Sequence, residues 1–150
     1  MSDKDLIPNL ISIASDPGRL IAAQHLAAKR LLDFDGEVFP SDGCAITLSV
    51  LFQESGVSIN DIFQAIALGR YLQDTRNWTR VDAGSQMPGD VGSTCGETAN
   101  HGSDHIYLVL QVLNPDEMVI ADNQEPKPHF RFVSSVGGKT PTRFFLRAPG

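Results

Sequence analysis

The chain has 150 residues, of which 41% are hydrophobic, and its 12 basic and 18 acidic side chains give a formal net charge of −6 at pH 7. This length and composition predict one globular domain with a substantial core. The acidic balance and the scattered basic residues argue against a nucleic-acid-binding surface. No apolar run is long enough to cross a bilayer, and residues 1–5 (MSDKD) lack the pattern of a signal peptide. We therefore expect no membrane span and a protein that is cytoplasmic as synthesised. Later release from the cell by a route that needs no cleavable signal is compatible with this expectation.

The first half of the chain is predicted to be helical. Apolar spacing indicates four helices, at about residues 6–14, 17–32, 43–54 and 58–73. The second begins at a cap and first-turn proline, Asp16 and Pro17. The third is expected to be capped by Ser41 or Asp42 and to end at Gly56.

The second half is predicted to form strands. Strand-prone segments begin at Trp78 and follow at residues 91, 105–112, 118–123, 130–133 and 142–146. Residues 87–91 (MPGDV) are typical of a tight turn that leads into a short strand. Helices followed by strands predict an α+β fold, with the N-terminal helices packed on an antiparallel sheet of about four to six strands.

Cys44 lies where the third helix is predicted to begin. A thiol at a helix N-terminus lies near the positive end of the helix dipole and near unpaired N–H groups, and both favour the thiolate. The position therefore indicates a cysteine nucleophile. The alternative interpretation is a small buried hydrophobic residue, which is the commoner fate of a free cysteine.

A hairpin is predicted to bring a histidine and a carboxylate together. His105 opens one strand, the turn lies at residues 114–117, and Asp122 and Asn123 end the returning strand. The start of the first strand and the end of the second then lie within cross-strand reach. Together with Cys44, this arrangement predicts a nucleophile, its base and a polar group that orients the base.

Four short segments in this order resemble the papain-like amidases of bacterial cell walls, in particular the CHAP amidohydrolase/peptidases and the NlpC-type endopeptidases. They are residues 42–44 (DGC), 87–91 (MPGDV), 105–109 (HIYLV) and 119–124 (VIADNQ). The resemblance runs from about residue 41 to residue 147 and leaves the N-terminal helical part, residues 1–40, unmatched. The chain departs from the family pattern in the residues that follow the cysteine and precede the histidine, which bears on substrate preference more than on fold.

The resemblance implies a papain-like fold and a mechanism in which Cys44 attacks an amide carbonyl while His105 takes its proton. It implies that Asp122 orients the imidazole, with Asn123 and Gln124 as alternatives for that role or for polarising the carbonyl. It implies no metal or organic cofactor. The implied function is that of a peptidoglycan amidase or endopeptidase. An alternative that uses the same chemistry is a cysteine peptidase that acts on an amide outside the cell wall.

Two interpretations from other classes use the same part of the chain. The first is a transition-metal site formed by Cys95, His101, Asp104 and His105, whose spacing matches no zinc signature. The second is a non-catalytic binding or immunity-like module in which Cys44 is buried. Thiol reactivity separates that module from an enzyme, because a structural cysteine resists alkylation.

Other conspicuous residues are expected to be structural. Trp78 is predicted to anchor the sheet against the helices, and Asp90 to be a turn residue. His25 and His129 are interpreted as structural or surface residues, and Cys95 as a reactive bystander in an exposed turn. A disulfide between Cys95 and Cys44 is an alternative that would silence the nucleophile.

Overall fold

In the part of the chain that the structure describes, four α-helices precede six β-strands, the order that the sequence predicts. The fold is that of a computed structural model, which describes residues 1–36, 43–100 and 103–150, apart from the side chain of Asp35. The helices are α1 (Asp3–Ser15), α2 (Pro17–Asp35), α3 (Cys44–Ser55) and α4 (Ala65–Asp74). The strands are β1 (Thr79–Asp82), β2 (Val91–Ser93), β3 (Ile106–Asn114), β4 (Glu117–Ala121), β5 (His129–Phe132) and β6 (Phe144–Arg147). None of these described helices combines the length and apolar composition that a bilayer crossing requires.

The ends of the first helices follow from their caps. Helix α1 begins with a capping box between Ser2 and Asp5, and the Asp16 side chain accepts a hydrogen bond from the N–H of Gly18 at the start of α2. Helix α2 extends beyond the predicted end and stops at Gly36, whose φ of 77° is left-handed backbone. The predicted caps of α3, Ser41 and Asp42, lie outside the described residues.

The predicted start of the fourth helix is wrong. Residues 57–64 are not helical, and α4 begins only at Ala65. Two polar side chains of α3 hold this segment in its extended path: Ser49 Oγ contacts both backbone groups of Ile62, and Gln53 donates to the carbonyl of Ile59. These bonds compete with the helical backbone bonds that the apolar spacing suggests.

One antiparallel sheet with strand order β1-β6-β2-β3-β4-β5 carries the helices, and this confirms the α+β class and the predicted sheet size. In the predicted hairpin, Leu108 of β3 pairs with Ala121 of β4 across a turn at Pro115 and Asp116. Leu108 packs in the helix-facing core, whereas Tyr107 belongs to a second apolar cluster. Strand β3 therefore contributes to both clusters through the alternation of its side chains.

The N-terminal helix is tied to the start of the sheet by a buried carboxylate. Asp3 accepts hydrogen bonds from Arg76 at 2.6 and 2.8 Å and from the indole N–H of Trp78 at 2.9 Å. Hydrogen bonding from Arg76, reinforced by Trp78, lowers the pKa of Asp3 against the opposing effect of its burial. Trp78 also packs edge-on against Phe52 of α3. It therefore anchors the sheet against the helices, as predicted.

A close approach between β2 and β3 requires glycine at one position. Gly92 is the cross-strand partner of Tyr107, and a Cβ atom at Gly92 would overlap the tyrosine ring. The hydroxyl group of Tyr107 lies 2.6 Å from that of Thr142, so the ring is fixed at its far end and has little freedom to move away.

We expect Gly92→Ala to lower the free energy of unfolding by about 3 kcal/mol, because the added methyl group overlaps a fixed, buried ring. Gly69→Ala is the matched control, since a Cβ atom there meets no neighbour within 4 Å. In helix α4 this control should be neutral or stabilising by up to about 1 kcal/mol. Urea denaturation of both variants measures the difference, and equal stabilities would contradict the close approach.

Candidate functional site

The predicted pairing of a strand-start histidine with a strand-end carboxylate is present. His105 Nε2 lies 2.8 Å from Asp122 Oδ2, and both residues are buried. The backbone of His105 is fixed as well, because its N–H donates to Thr94 Oγ1. The β3–β4 hairpin thus brings the two side chains together as its register requires.

A second histidine shares the same carboxylate. His129 Nε2 lies 2.9 Å from Asp122 Oδ1, so each oxygen of Asp122 faces one imidazole. The interpretation of His129 as a structural or surface residue did not include this contact with the carboxylate of the site. The available signal was its position at the start of β5, because pairing of β5 with β4 places His129 opposite Ile120, two residues before Asp122.

The surroundings of Asp122 keep it ionised. Burial by itself would raise its pKa, but the hydrogen bonds from His105 and His129 outweigh burial and hold the pKa well below its usual range. The backbone N–H of Gln124 adds a third hydrogen bond, to Asp122 Oδ1 at 2.9 Å. The ionised carboxylate of Asp122 accepts a hydrogen bond from the Nε2–H group of His105, so in the neutral ring Nδ1 is the nitrogen that can accept a proton.

Helix α2 positions the segment that carries Asp122. The buried amide of Gln24 donates to the carbonyl oxygens of Asp122 and Glu125, at 2.8 and 2.7 Å. The sequence does not predict this role, because a glutamine on a helix carries no local signal for a partner about one hundred residues away. Of the two alternatives to Asp122, Asn123 is buried beside it, and Gln124 lines a cavity together with His105.

Cys44 is the first residue of α3, as predicted, but its thiol is buried and only 7% exposed. Burial raises the pKa of Cys44 to about 12, despite hydrogen bonds from the backbone N–H groups of Ile106 and Ala45, and the nearby charge of Asp122 adds to the increase. The expectation that the helix N-terminus favours the thiolate is therefore wrong for this structure, because desolvation outweighs the N–H donors. Between the two described residues Cys44 and His105 there is no hydrogen bond.

The second cysteine does not fit its predicted exposed turn. Cys95 is 4% exposed, burial raises its pKa, and both cysteines are free thiols. The prediction of an exposed, reactive bystander is therefore wrong. The alternative of a disulfide is wrong as well, because the two described cysteines are not bonded to each other.

The residues proposed for a metal site are not brought together within the described part of the chain. Among residues 1–36, 43–100 and 103–150, no group of three His, Cys, Asp or Glu side chains is placed to hold a metal ion. His101 lies outside these ranges, whereas the Asp104 carboxylate accepts a hydrogen bond from the backbone N–H of Asn100.

Asp90 is a turn residue, as predicted. Its carboxylate accepts a hydrogen bond from the N–H of Met87 and two more from the guanidinium of Arg147 in β6. These bonds fix the turn before β2 and leave Asp90 a structural role.

We expect Asp122→Asn to lower the free energy of unfolding by about 2 kcal/mol at neutral pH, because an amide nitrogen would face one imidazole N–H group. The folded-state pKa of Asp122 is lowered, so its contribution is complete above the unfolded carboxyl pKa of about 4 and is lost as the pH falls further. The stability difference from the wild type should therefore shrink between about pH 5 and about pH 3. Urea denaturation measures it, with the exposed Asp82→Asn as control, and a difference that is constant with pH would contradict the assignment.

Comparisons with known proteins assign no family to this arrangement. No family model, curated protein or solved structure matches the chain. The resemblance to papain-like amidases therefore stays a prediction from the order and spacing of short sequence segments.

Proposed function

We propose that this chain is a cysteine-dependent amide hydrolase that acts through a thioester on Cys44. The observation that carries the proposal is the buried pair of His105 and Asp122. His105 directly precedes Ile106, whose backbone N–H bonds the Cys44 thiol. The thiol of Cys44 lies at the start of α3, the imidazole of His105 directly before β3, and the carboxylate of Asp122 directly after β4. This is the set of groups that acyl transfer by a cysteine requires.

The chemistry follows from the roles of the two imidazole nitrogens. Cys44 Sγ forms a bond to the amide carbonyl carbon while its proton passes to His105 Nδ1. The carbon–nitrogen bond then breaks, the departing amine takes that proton, and a thioester remains on Cys44. Water adds to the thioester with His105 as base, the acid leaves, and the thiol regains its proton.

The negative charge that develops on the carbonyl oxygen needs donors. The first-turn N–H groups of any helix have no intrahelical acceptor, and Gly43, which precedes α3, has no side chain to cap them. The backbone N–H of Cys44 is the donor that we propose for the oxyanion, and one such donor is worth about 3 kcal/mol in acyl transfer.

Substrate binding has to bring the nucleophile and the base together. The described structure has no hydrogen bond between Cys44 and His105, and the Cys44 thiol is protonated because of its burial. Catalytic hydrogen bonds often tighten only in the complex with substrate. Proton transfer to His105 at the moment of attack avoids a free, buried thiolate.

The substrate that we propose is a peptide amide of peptidoglycan, on the strength of the resemblance to cell-wall amidases. The same chemistry would serve another peptide or amide, because the fold does not specify the bond that is cleaved. The nucleophile and the substrate are therefore tested separately.

We expect wild-type protein to release soluble fragments from purified peptidoglycan sacculi, and mass spectrometry of the fragments identifies the cleaved amide. Cys44→Ala and His105→Ala should lower the rate by at least about a hundredfold, because each removes a group that takes part in bond making or proton transfer. Cys95→Ala is the matched control, a second buried cysteine that should keep the wild-type rate.

A mixture of proteome-derived peptides provides the second substrate. Cleavage of these peptides but not of sacculi, with the same dependence on Cys44, would keep the hydrolase and overturn the wall substrate. No cleavage of either, or full activity of Cys44→Ala, would overturn the hydrolase.

The burial of Cys44 favours a second candidate function, a binding module without catalysis. In that case the thiol is a core residue, the raised pKa of about 12 is its resting property, and the histidines serve only as hydrogen-bond partners of Asp122. The two functions differ in how Cys44 reacts.

Alkylation by iodoacetamide, followed for each cysteine by peptide mass spectrometry from about pH 6 to about pH 9, distinguishes the two. For the hydrolase we expect Cys44 to react faster than Cys95 at about pH 7, because His105 takes the thiol proton during attack on the reagent as it does during attack on an amide, and His105→Ala to abolish that advantage. For the binding module, both buried thiols should react slowly and the His105 variant should change nothing. That second outcome would overturn the nucleophile.

A further inference from the structure

Arg131 in β5 is a buried arginine whose charge has no carboxylate partner in the described part of the chain. It is 3% exposed, and the described ion pairs involve Arg30, Arg76 and Arg147 together with the two histidines of the site. A guanidinium remains charged at all ordinary pH values, so it cannot escape the cost of burial by losing its proton. Buried charges are normally paired, and this one calls for an anion.

The contacts of Arg131 within the fold are neutral ones. One terminal nitrogen donates to the carbonyl oxygen of Thr140 at 2.8 Å, and the guanidinium carbon lies 5.1 Å from the centre of the Tyr107 ring. Its Nε atom is buried and, among the described residues, has no hydrogen-bond partner. These contacts orient the guanidinium but leave donor capacity unused.

Arg131 lines a cavity that is continuous with the candidate site. The cavity has a volume of about 270 Å³, and His105, Gln124 and Lys139 also line it. Among the described lining residues, the one carboxylate is that of Asp104, which accepts a hydrogen bond from the N–H of Asn100 and forms no ion pair with Arg131. Two cations therefore face a space beside the imidazole that is large enough for a small acidic group.

We propose that this cavity binds a carboxylate of the substrate, with Arg131 as the pairing residue and Lys139 as a second cation. A guanidinium matches the planar carboxylate through paired N–H donors, and a buried position strengthens that interaction. The inference rests on the proposed hydrolase and names its substrate class: amides that carry a carboxylate close to the bond that is cleaved. Arg131 is a specificity-determining residue, and the chemistry remains with Cys44 and His105.

The test measures binding in Cys44→Ala protein, which cannot form a thioester. Three blocked peptides are titrated: acetyl-Ala-Glu-amide, acetyl-Ala-Gln-amide and acetyl-Ala-Gln with a free terminal carboxylate. We expect the Arg131 Nε–H resonance to shift with a carboxylate peptide, and that peptide to bind about tenfold or more tightly than the neutral one. The first and third peptides distinguish a side-chain carboxylate from a terminal one.

Variants assign the effect to its residues. Arg131→Met should reduce the affinity for the acidic peptide to that of the neutral peptide, Arg131→Lys should retain part of the difference, and Lys139→Gln should weaken binding a few-fold. The resonance of Arg80 is the site control, because this arginine lies over the ring of Phe144 in another cavity and should not shift. If Arg131→Met does not fold, the shift of the Arg131 resonance and the affinity of Lys139→Gln for the acidic peptide show whether the carboxylate binds in this cavity.

The outcomes separate this inference from the hydrolase. Equal binding of all three peptides with an unmoved Arg131 resonance would overturn the carboxylate site, whether or not the wild type cleaves amides. Preferential carboxylate binding without any hydrolysis by the wild type would overturn the hydrolase and keep the cavity as an anion site.

Discussion

The buried carboxylate of Asp122 is the constraint on which the site depends. An ionised group in the interior is stable only if its oxygens are hydrogen-bonded, and here two imidazoles and one backbone N–H provide those bonds. The partners come from the start of β3, the start of β5 and the turn after β4, while Gln24 of α2 holds the same turn from the helical side. Three strands and a helix must therefore take their places together for this one charge to be satisfied.

The same carboxylate has opposite effects on the two groups of the proposed mechanism. It fixes the ring of His105 and leaves Nδ1 free, which suits a base, but its negative charge and the surrounding burial disfavour a thiolate at Cys44. The N–H groups of Ala45 and Ile106 act in the other direction without overcoming desolvation. A protonated resting thiol that loses its proton only during attack is consistent with all of these effects.

His105 also lines the cavity that contains the two cationic side chains of Arg131 and Lys139. The imidazole stacks on the ring of Tyr107, and that ring carries the guanidinium of Arg131 on its face. Gly92 makes room for the ring across the strand pair. Gly92 in β2 thus allows Tyr107 to lie where it contacts Arg131, which lines the cavity. The packing of these strands therefore supports the proposed recognition of an acidic substrate.

Local signals along the chain were sufficient to predict the helices-then-strands order, the α+β class, the hairpin and the contact of His105 with Asp122, because periodicity, caps and turns are local and a short hairpin fixes its own register. The remaining features of the site arise from contacts between distant parts of the chain. The tertiary structure joined His129 and Gln24 to the same carboxylate, replaced the first turns of the predicted fourth helix by contacts to α3, and buried Cys44 so that desolvation dominates its pKa. These outcomes depend on which distant side chains come into contact and on how much water they exclude. Neither can be predicted from the residues adjacent in sequence.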